Sequence, residues 1–164
     1  MINLQKMIKP SFIAGIMLVM IVACNPAGKY EKEEKVQIQD YLNSHPELSF
    51  ELKTSGLYYL DVVVGDGRQA ITKDTAYFMY TGKYLNGTIF GTNVGTTDTM
   101  IYPVNVGYLI PGFDEGLTYM KEGGTSLLLM PSDLGYGNSG MYMPAFTPLL
   151  FEIMLARIVP GPGK

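Results

Sequence analysis

The sequence predicts an α+β fold in which one sheet folds over one short α-helix. Three observations predict it. From residue 57 onward apolar residues recur at every second position, and Gly, Pro, Asn and Asp interrupt them at short intervals, as in strands and their turns. Within that region GYLIPGFDEGLTYM, residues 107 to 120, changes period. Phe113, Leu117 and Met120 fall at i, i+4 and i+7 there, on one face of a helix. With 47% hydrophobic and 16% charged residues the chain can pack a core, and Phe113 is the residue expected between helix and sheet. Its 164 residues allow one such domain plus extra segments.

The N-terminus reads as an export signal over residues 1–23. Lys6 and Lys9 form a positive n-region before FIAGIMLVMIVA at 12 to 23, an apolar run of signal-peptide length that is short for a membrane span. The only cysteine, Cys24, follows Ile21-Val22-Ala23. This resembles a bacterial lipobox, whose cysteine is diacylated and becomes the new N-terminus. A buried free thiol, or a small-residue cleavage site beside a chance cysteine, are the alternatives. Lipidation accounts for an exported cysteine without a partner, and several acyl chains anchor stably where one holds marginally. Loss of residues 1–23 removes two lysines and no acids, which leaves 10 basic and 15 acidic residues, a net charge of −5. Membrane attachment in the cell envelope, facing the periplasm or the cell surface, is therefore expected through lipid and not through a basic patch. A pI near 5.1 gives no basic footprint for nucleic acid.

Residues 24–56 read as a lipidated start, a stalk and a helix. Asn25-Pro26-Ala27-Gly28 is a breaker cluster, after which Lys29 to Asn43 reads as a polar helix with Tyr30, Ile38, Tyr41 and Leu42 on one side. Its charge run, KYEKEEK, reads as a solvated face, with a partner site as the alternative. His45, the only histidine, has no second His or Cys to complete a metal or catalytic set. Ser55-Gly56 is the last turn signal before the strands of the 57–159 domain.

Leu57 to Val64 is the first predicted strand, ended by Gly65-Asp66-Gly67. A GxG after a strand can cradle phosphate, but the rest of the motif is missing and no helix follows, so a turn is expected. Thr75 to Leu85 is the second, with Ala76, Phe78 and Tyr80 facing inward and Tyr77 and Met79 outward. Asn86-Gly87 signals a hairpin, and Thr88 to Phe90 begins the return. GTNVGTTDTM, residues 91 to 100, is a loop or a broken edge strand, and Ile101 to Val106 leads into the helix. Pro111 fixes φ at the helix start, where a missing N–H is harmless. Asp114 and Glu115 are expected in the first turn, where the helix dipole favours negative charge. Gly123-Gly124 stands where a left-handed cap belongs. Thr125 to Met130 is a dense apolar strand, 132 to 148 a long loop, and Leu149 to Val159 the last strand. Residues 160–164, PGPGK, are expected to fray.

Four segments now come together: YTGKYLNGTIF at 80 to 90, LIPGFDEGLTYMKEGG at 109 to 124, MPSDLGYG at 130 to 137 and LLFEIML at 149 to 155. In order and spacing, across 57 to 159, they resemble the FKBP-type peptidyl-prolyl cis-trans isomerases, and the whole chain resembles exported bacterial lipoprotein members of that family. The resemblance implies a strongly bent antiparallel β-sheet wrapped around the helix. It implies a pocket with Tyr80, Phe90, Phe113 and Phe151 as walls and floor. Leu109 and Ile110 would line its edge, the Ile110 N–H donating to the ligand. Tyr136 would place its hydroxyl on a substrate carbonyl, and Tyr102 and Tyr142 would form the rim. Taken singly, each of these aromatic residues reads first as core packing. The implied partners are proline-containing polypeptides, and no cofactor is implied.

The residues themselves agree with such chemistry. They supply no Ser-His-Asp, Cys-His, metal or nucleotide set. Aromatic rings with a few hydroxyls and amides suit rotation about an X-Pro amide, which needs neither nucleophile nor metal. Uncatalysed, that rotation takes tens to hundreds of seconds because the amide has partial double-bond character. Two departures from the family stand out. The floor, often Trp, is Phe113. The Asp that usually follows the phenylalanine is Gly91 here, and Asp98 lies too far along the loop to replace it. Besides the isomerase, the sequence leaves open a binding module or chaperone on the same fold, with weak or no turnover, and a structural envelope lipoprotein.

Overall fold

The computed structural model describes residues 26–138 and 140–162. The export signal and Cys24 lie outside the described residues. In chain order the elements are α1 (Pro26–Ser44), β1 (Glu51–Leu52), β2 (Tyr58–Val63), β3 (Thr75–Tyr84), β4 (Ile89–Thr92), β5 (Met100–Pro103), α2 (Pro111–Tyr119), β6 (Thr125–Met130) and β7 (Leu149–Val159), with a 3-10 turn at Ser132–Leu134.

The strands form one antiparallel sheet in the order β1-β2-β6-β7-β3-β4, with β5 also paired to β3. β3 meets β7 along its whole length, from Thr75↔Val159 to Tyr84↔Leu149. Its other edge is shared: Thr75 to Phe78 pair with β5 and Thr81 to Lys83 with β4. Register shifts leave Ala156 of β7 unpaired opposite Tyr77 and Phe78, and Val62 of β2 unpaired opposite Thr125 and Ser126, and mark where β7 and β2 bend.

The expected helix lies in the hollow of this sheet. Phe113, Leu117 and Met120 are buried with Phe78, Leu128, Ile153 and Leu155 in one cluster. Helix and sheet touch closely because of Gly116: a Cβ there would stand 2.4 Å from Leu128 Cδ1, nearer than any side chain tolerates. Of the two acids, Asp114 lies in the first turn, and it does more than meet the dipole. Its carboxylate is buried and accepts the N–H groups of Asn105 at 2.6 Å and Gly107 at 2.7 Å. That clasp fixes the turn between β5 and α2. Glu115 instead accepts hydrogen bonds from the Ser55 and Tyr119 hydroxyls.

A second cluster sits on the sheet's outer face. Ile38 of α1 is buried there with Leu129 and Leu150, and Tyr41, Leu42, Phe50, Tyr58, Leu85 and Leu127 pack around them. This explains why β6 is apolar at consecutive positions. Leu128 and Met130 face the core around α2, whereas Leu127 and Leu129 face α1, so both sides of the strand are covered.

The structure departs from the sequence reading at several points. Pro26-Ala27-Gly28 does not break the chain: all three residues lie within α1. The charge run of α1 is not uniformly solvated: Glu34 is 6% exposed, and its carboxylate accepts the backbone N–H and the hydroxyl of Ser132. α2 ends at Tyr119, so Gly123, with φ +83°, serves the turn into β6 and not the helix cap. β5 starts one residue early and stops at Pro103, because the Asp114 clasp pulls the following backbone out of the sheet. The C-terminal segment does not fray at Gly161, which is buried and donates its N–H to Asp74 Oδ1 at 3.0 Å.

Candidate active site

A cavity of about 410 Å³ opens between the concave sheet and the N-terminus of α2. β3 contributes Phe78 and Tyr80 to its lining, β4 Phe90 and Gly91, β5 Met100, and β7 Phe151. Tyr108, Leu109 and Ile110 approach from the turn before α2, Phe113 from its first turn, and Tyr136 from the loop after β6.

Phe151 is the hub of the wall. Its ring meets Phe113 edge-on at 5.3 Å and Phe90 edge-on at 5.5 Å, and lies 6.0 Å from Tyr80. Tyr80 in turn meets Phe113 edge-on at 6.1 Å. Edge-to-face pairs add about 0.5–1.5 kcal/mol each beyond their buried area, so the walls hold one another in place. Gly82 makes this possible. It pairs with Gly91 on one side and Phe151 on the other, and a Cβ on it would stand 2.6 Å from Phe90 Cζ and 2.9 Å from Phe151 Cε1.

Every lining residue is uncharged. Burial, helped by the neighbouring Tyr80, pushes the Tyr136 phenol above its ordinary range, which favours its protonated, donating form. Among the described residues, neither the Tyr80 and Tyr136 hydroxyls nor the Ile110 N–H is engaged with a protein partner. The cavity thus combines ring walls with uncommitted donors.

Seven residues singled out from the sequence, Tyr80, Phe90, Leu109, Ile110, Phe113, Tyr136 and Phe151, line this one cavity. Two do not. Tyr102 packs against the core, its ring 6.4 Å from Phe78, and Tyr142 stands 78% exposed with its ring 6.0 Å from Tyr136. Met100 and Tyr108 went unread. Met100 pairs with Phe78, but it ends a polar run that hides its strand. Tyr108 is 72% exposed and follows the turn glycine Gly107, so only its place before Leu109-Ile110 hints at the cavity. Asp98 is exposed and outside the lining. His45 is stacked on Tyr41 and bonded to its carbonyl.

Residues 66–156 match the family described as FKBP-type peptidyl-prolyl cis-trans isomerase, a span that includes every cavity residue. The chain belongs to this family. A Neisseria meningitidis protein named FK506-binding protein is 35% identical over 105 residues, 63% of this chain and 96% of that protein. The 22 kDa FKBP-type isomerase of Escherichia coli is 36% identical over 107 residues, 64% of this chain and 51% of that protein. The isomerase Mip of Chlamydia muridarum is 35% identical, over 69% of this chain and 45% of its own length. The chain thus spans nearly all of the short relative and about half of the longer ones. Among solved structures, FkpA from Escherichia coli matches with a TM-score of 0.70 and 27% identity, over 83% of this chain and 65% of that one. AtFKBP13 matches with a TM-score of 0.61 and 30% identity, over 66% and 98%. The bent sheet around one helix is therefore the FKBP fold, and prolyl isomerisation is the activity that goes with the family.

Proposed function

We propose that this chain is an envelope lipoprotein that isomerises X-Pro bonds in exported polypeptides, through pocket shape more than through charge. The observation that carries the reading is the uncharged, ring-walled cavity with uncommitted donors at its edge. Prolyl rotation breaks no bond. Its barrier is the lost amide resonance, so a site accelerates it by holding the twisted amide better than the planar one. The twisted amide is less polar, and an uncharged cavity walled by Tyr80, Phe90, Phe113 and Phe151 favours it. The Ile110 N–H and the Tyr136 hydroxyl, both at the cavity and without a protein partner among the described residues, would hold a substrate carbonyl. Tyr142, beside Tyr136, and Tyr102 serve at most as outer contacts. For anchoring, the support is the Ile21-Val22-Ala23-Cys24 run. Pro26, two residues after Cys24, already belongs to α1, so a lipid on Cys24 would hold the isomerase domain close to the membrane.

One observation favours a second reading, a peptide-binding chaperone module with little turnover: no carboxylate lines the cavity, and Gly91 occupies the position where the family usually has Asp. A protease-coupled proline-peptide assay, with peptide affinity measured beside it, separates the two. The isomerase reading expects a rate above background that Phe113→Ala removes. Binding without any such rate would favour the module, and neither binding nor rate would defeat both.

A further inference from the structure

The N-terminal helix grips the loop that carries Tyr136. Glu34, buried on α1, accepts the Ser132 N–H and, at 3.0 Å, the Ser132 hydroxyl. The Ser132 carbonyl in turn accepts the N–H groups of Gly135 and Gly137, both at 2.8 Å. Those two residues flank Tyr136. One helical turn before Glu34, Tyr30 stacks on Phe146 at 5.7 Å and 17° between ring planes. Phe146 closes the other end of the same loop: its N–H donates to the Gly137 carbonyl at 3.3 Å, and its backbone is left-handed, φ +55°. Tyr30, Glu34 and Ile38 follow at i, i+4 and i+8, so one stripe of α1 meets the loop twice and then enters the outer core.

We propose that Glu34 is a positioning residue for the isomerase site: through Ser132 it sets where Tyr136 stands, and α1 is a strut for the active-site loop as well as a connection to the N-terminus. The inference rests on the isomerase reading above only for its consequence in turnover. A buried carboxylate that receives two donors is selective for their geometry, because an unmade bond leaves a charge in a dry site. Residues 132 to 137 have no strand of their own to hold them, so the strut supplies the order that donation by Tyr136 requires.

The test compares the full chain with Glu34→Ala, Glu34→Gln and Tyr30→Ala, reading amide hydrogen exchange, kcat and KM on a proline peptide, and peptide affinity. Glu34→Ala is expected to lower protection at Ser132, Gly135 and Gly137 and to lower kcat/KM about tenfold, which is about 1.4 kcal/mol. Glu34→Gln, whose amide oxygen still accepts the Ser132 N–H, is expected to keep most of both. Tyr30→Ala, which leaves Glu34 in place, is expected to act in the same direction with a smaller effect, and it serves as the readout if Glu34→Ala does not fold. Loosened exchange with unchanged kcat/KM would overturn the positioning role, and unchanged exchange would overturn the strut. If the wild type itself shows no turnover, the isomerase reading fails separately. Peptide affinity then decides the inference, and equal affinity in wild type and Glu34→Ala defeats it.

Discussion

A Cβ at Gly91 would stand 3.4 Å from the hydroxyl oxygen of Tyr80, an ordinary contact, and Gly91 does not need the left-handed backbone that only glycine tolerates well. The position therefore accepts a side chain directed at the cavity. An aspartate carboxylate there would come within reach of the Tyr80 hydroxyl, giving the site a negative end to complement its donors. Gly91→Asp is expected to raise kcat/KM about tenfold, or about 1.4 kcal/mol of barrier, with little change in peptide affinity. A variant that turns over no faster than wild type would show that this site works without a carboxylate.

Gly82 is the counterpart on the next strand, and there a side chain does not fit. Gly82→Ala must push apart Phe90 and Phe151, which stand 2.6 and 2.9 Å from the new methyl. Overpacking of this kind costs about 1–3 kcal/mol. The variant is expected to unfold at lower urea and to bind proline peptides more weakly, since both rings belong to the cavity wall. Unchanged affinity together with lost stability would separate the wall from the binding surface.

The fold was legible where one physical signal dominated. β6 and β7 fall on the residues expected, Thr125 to Met130 and Leu149 to Val159, because dense apolar runs bounded by glycine and proline leave few alternatives. The seven cavity residues were legible only through the family resemblance that the four segments carry together, not singly. Buried polar residues were not legible. Glu34 sits in a run of charges and its partner Ser132 lies 98 residues away, so nothing local separates it from its solvated neighbours. Asn93 reads as a loop residue, yet it is buried, accepts the Tyr80 N–H at 2.7 Å and donates to the Asp98 carbonyl at 2.6 Å. What these residues share is a bond to backbone that only the folded chain brings near. The i, i+4, i+8 stripe of Tyr30, Glu34 and Ile38 was the one available hint.

Phe113 and Leu117 share a face of α2 but point to different consequences. Leu117 is fully buried and outside the cavity lining, so Leu117→Ala is expected to cost about 2–5 kcal/mol in a urea titration while the folded fraction still binds peptide. Phe113 both closes the core and floors the cavity, in contact with Phe78, Tyr80 and Phe151. Phe113→Ala is expected to abolish binding and turnover even where the protein remains folded. Binding that survives in Phe113→Ala would move the site elsewhere.

Anchoring has its own test. Cys24→Ser is expected to leave the chain without incorporated palmitate and largely released from membranes, because its acidic net charge gives anionic lipid nothing to hold. Palmitate labelling equal to wild type in that variant would rule out Cys24 as the acceptor.

Alkaline stability follows from two tyrosines in ring contact, Tyr59 of β2 and Tyr119 at the end of α2. Burial, then the hydrogen bond to Asp61, pushes the Tyr59 phenol well above its usual range. Burial, then the hydrogen bond to Glu115, pushes Tyr119 up to about 12. In the unfolded chain both titrate near pH 10. Between pH 10 and the folded values the native state therefore binds more protons than the unfolded one, and stability falls as pH rises. Below pH 10 both states are protonated and the contribution is fully present. The urea midpoint is thus expected to be insensitive to these groups from pH 7 to 9 and to decline from about pH 10 upward. Tyr59→Phe removes one ionisable phenol, so its midpoint, lower at neutral pH through loss of the bonds to Asp61 and Ser126, should decline less steeply above pH 10 than that of the wild type. Parallel declines in the two proteins would mean that Tyr59 does not carry the effect.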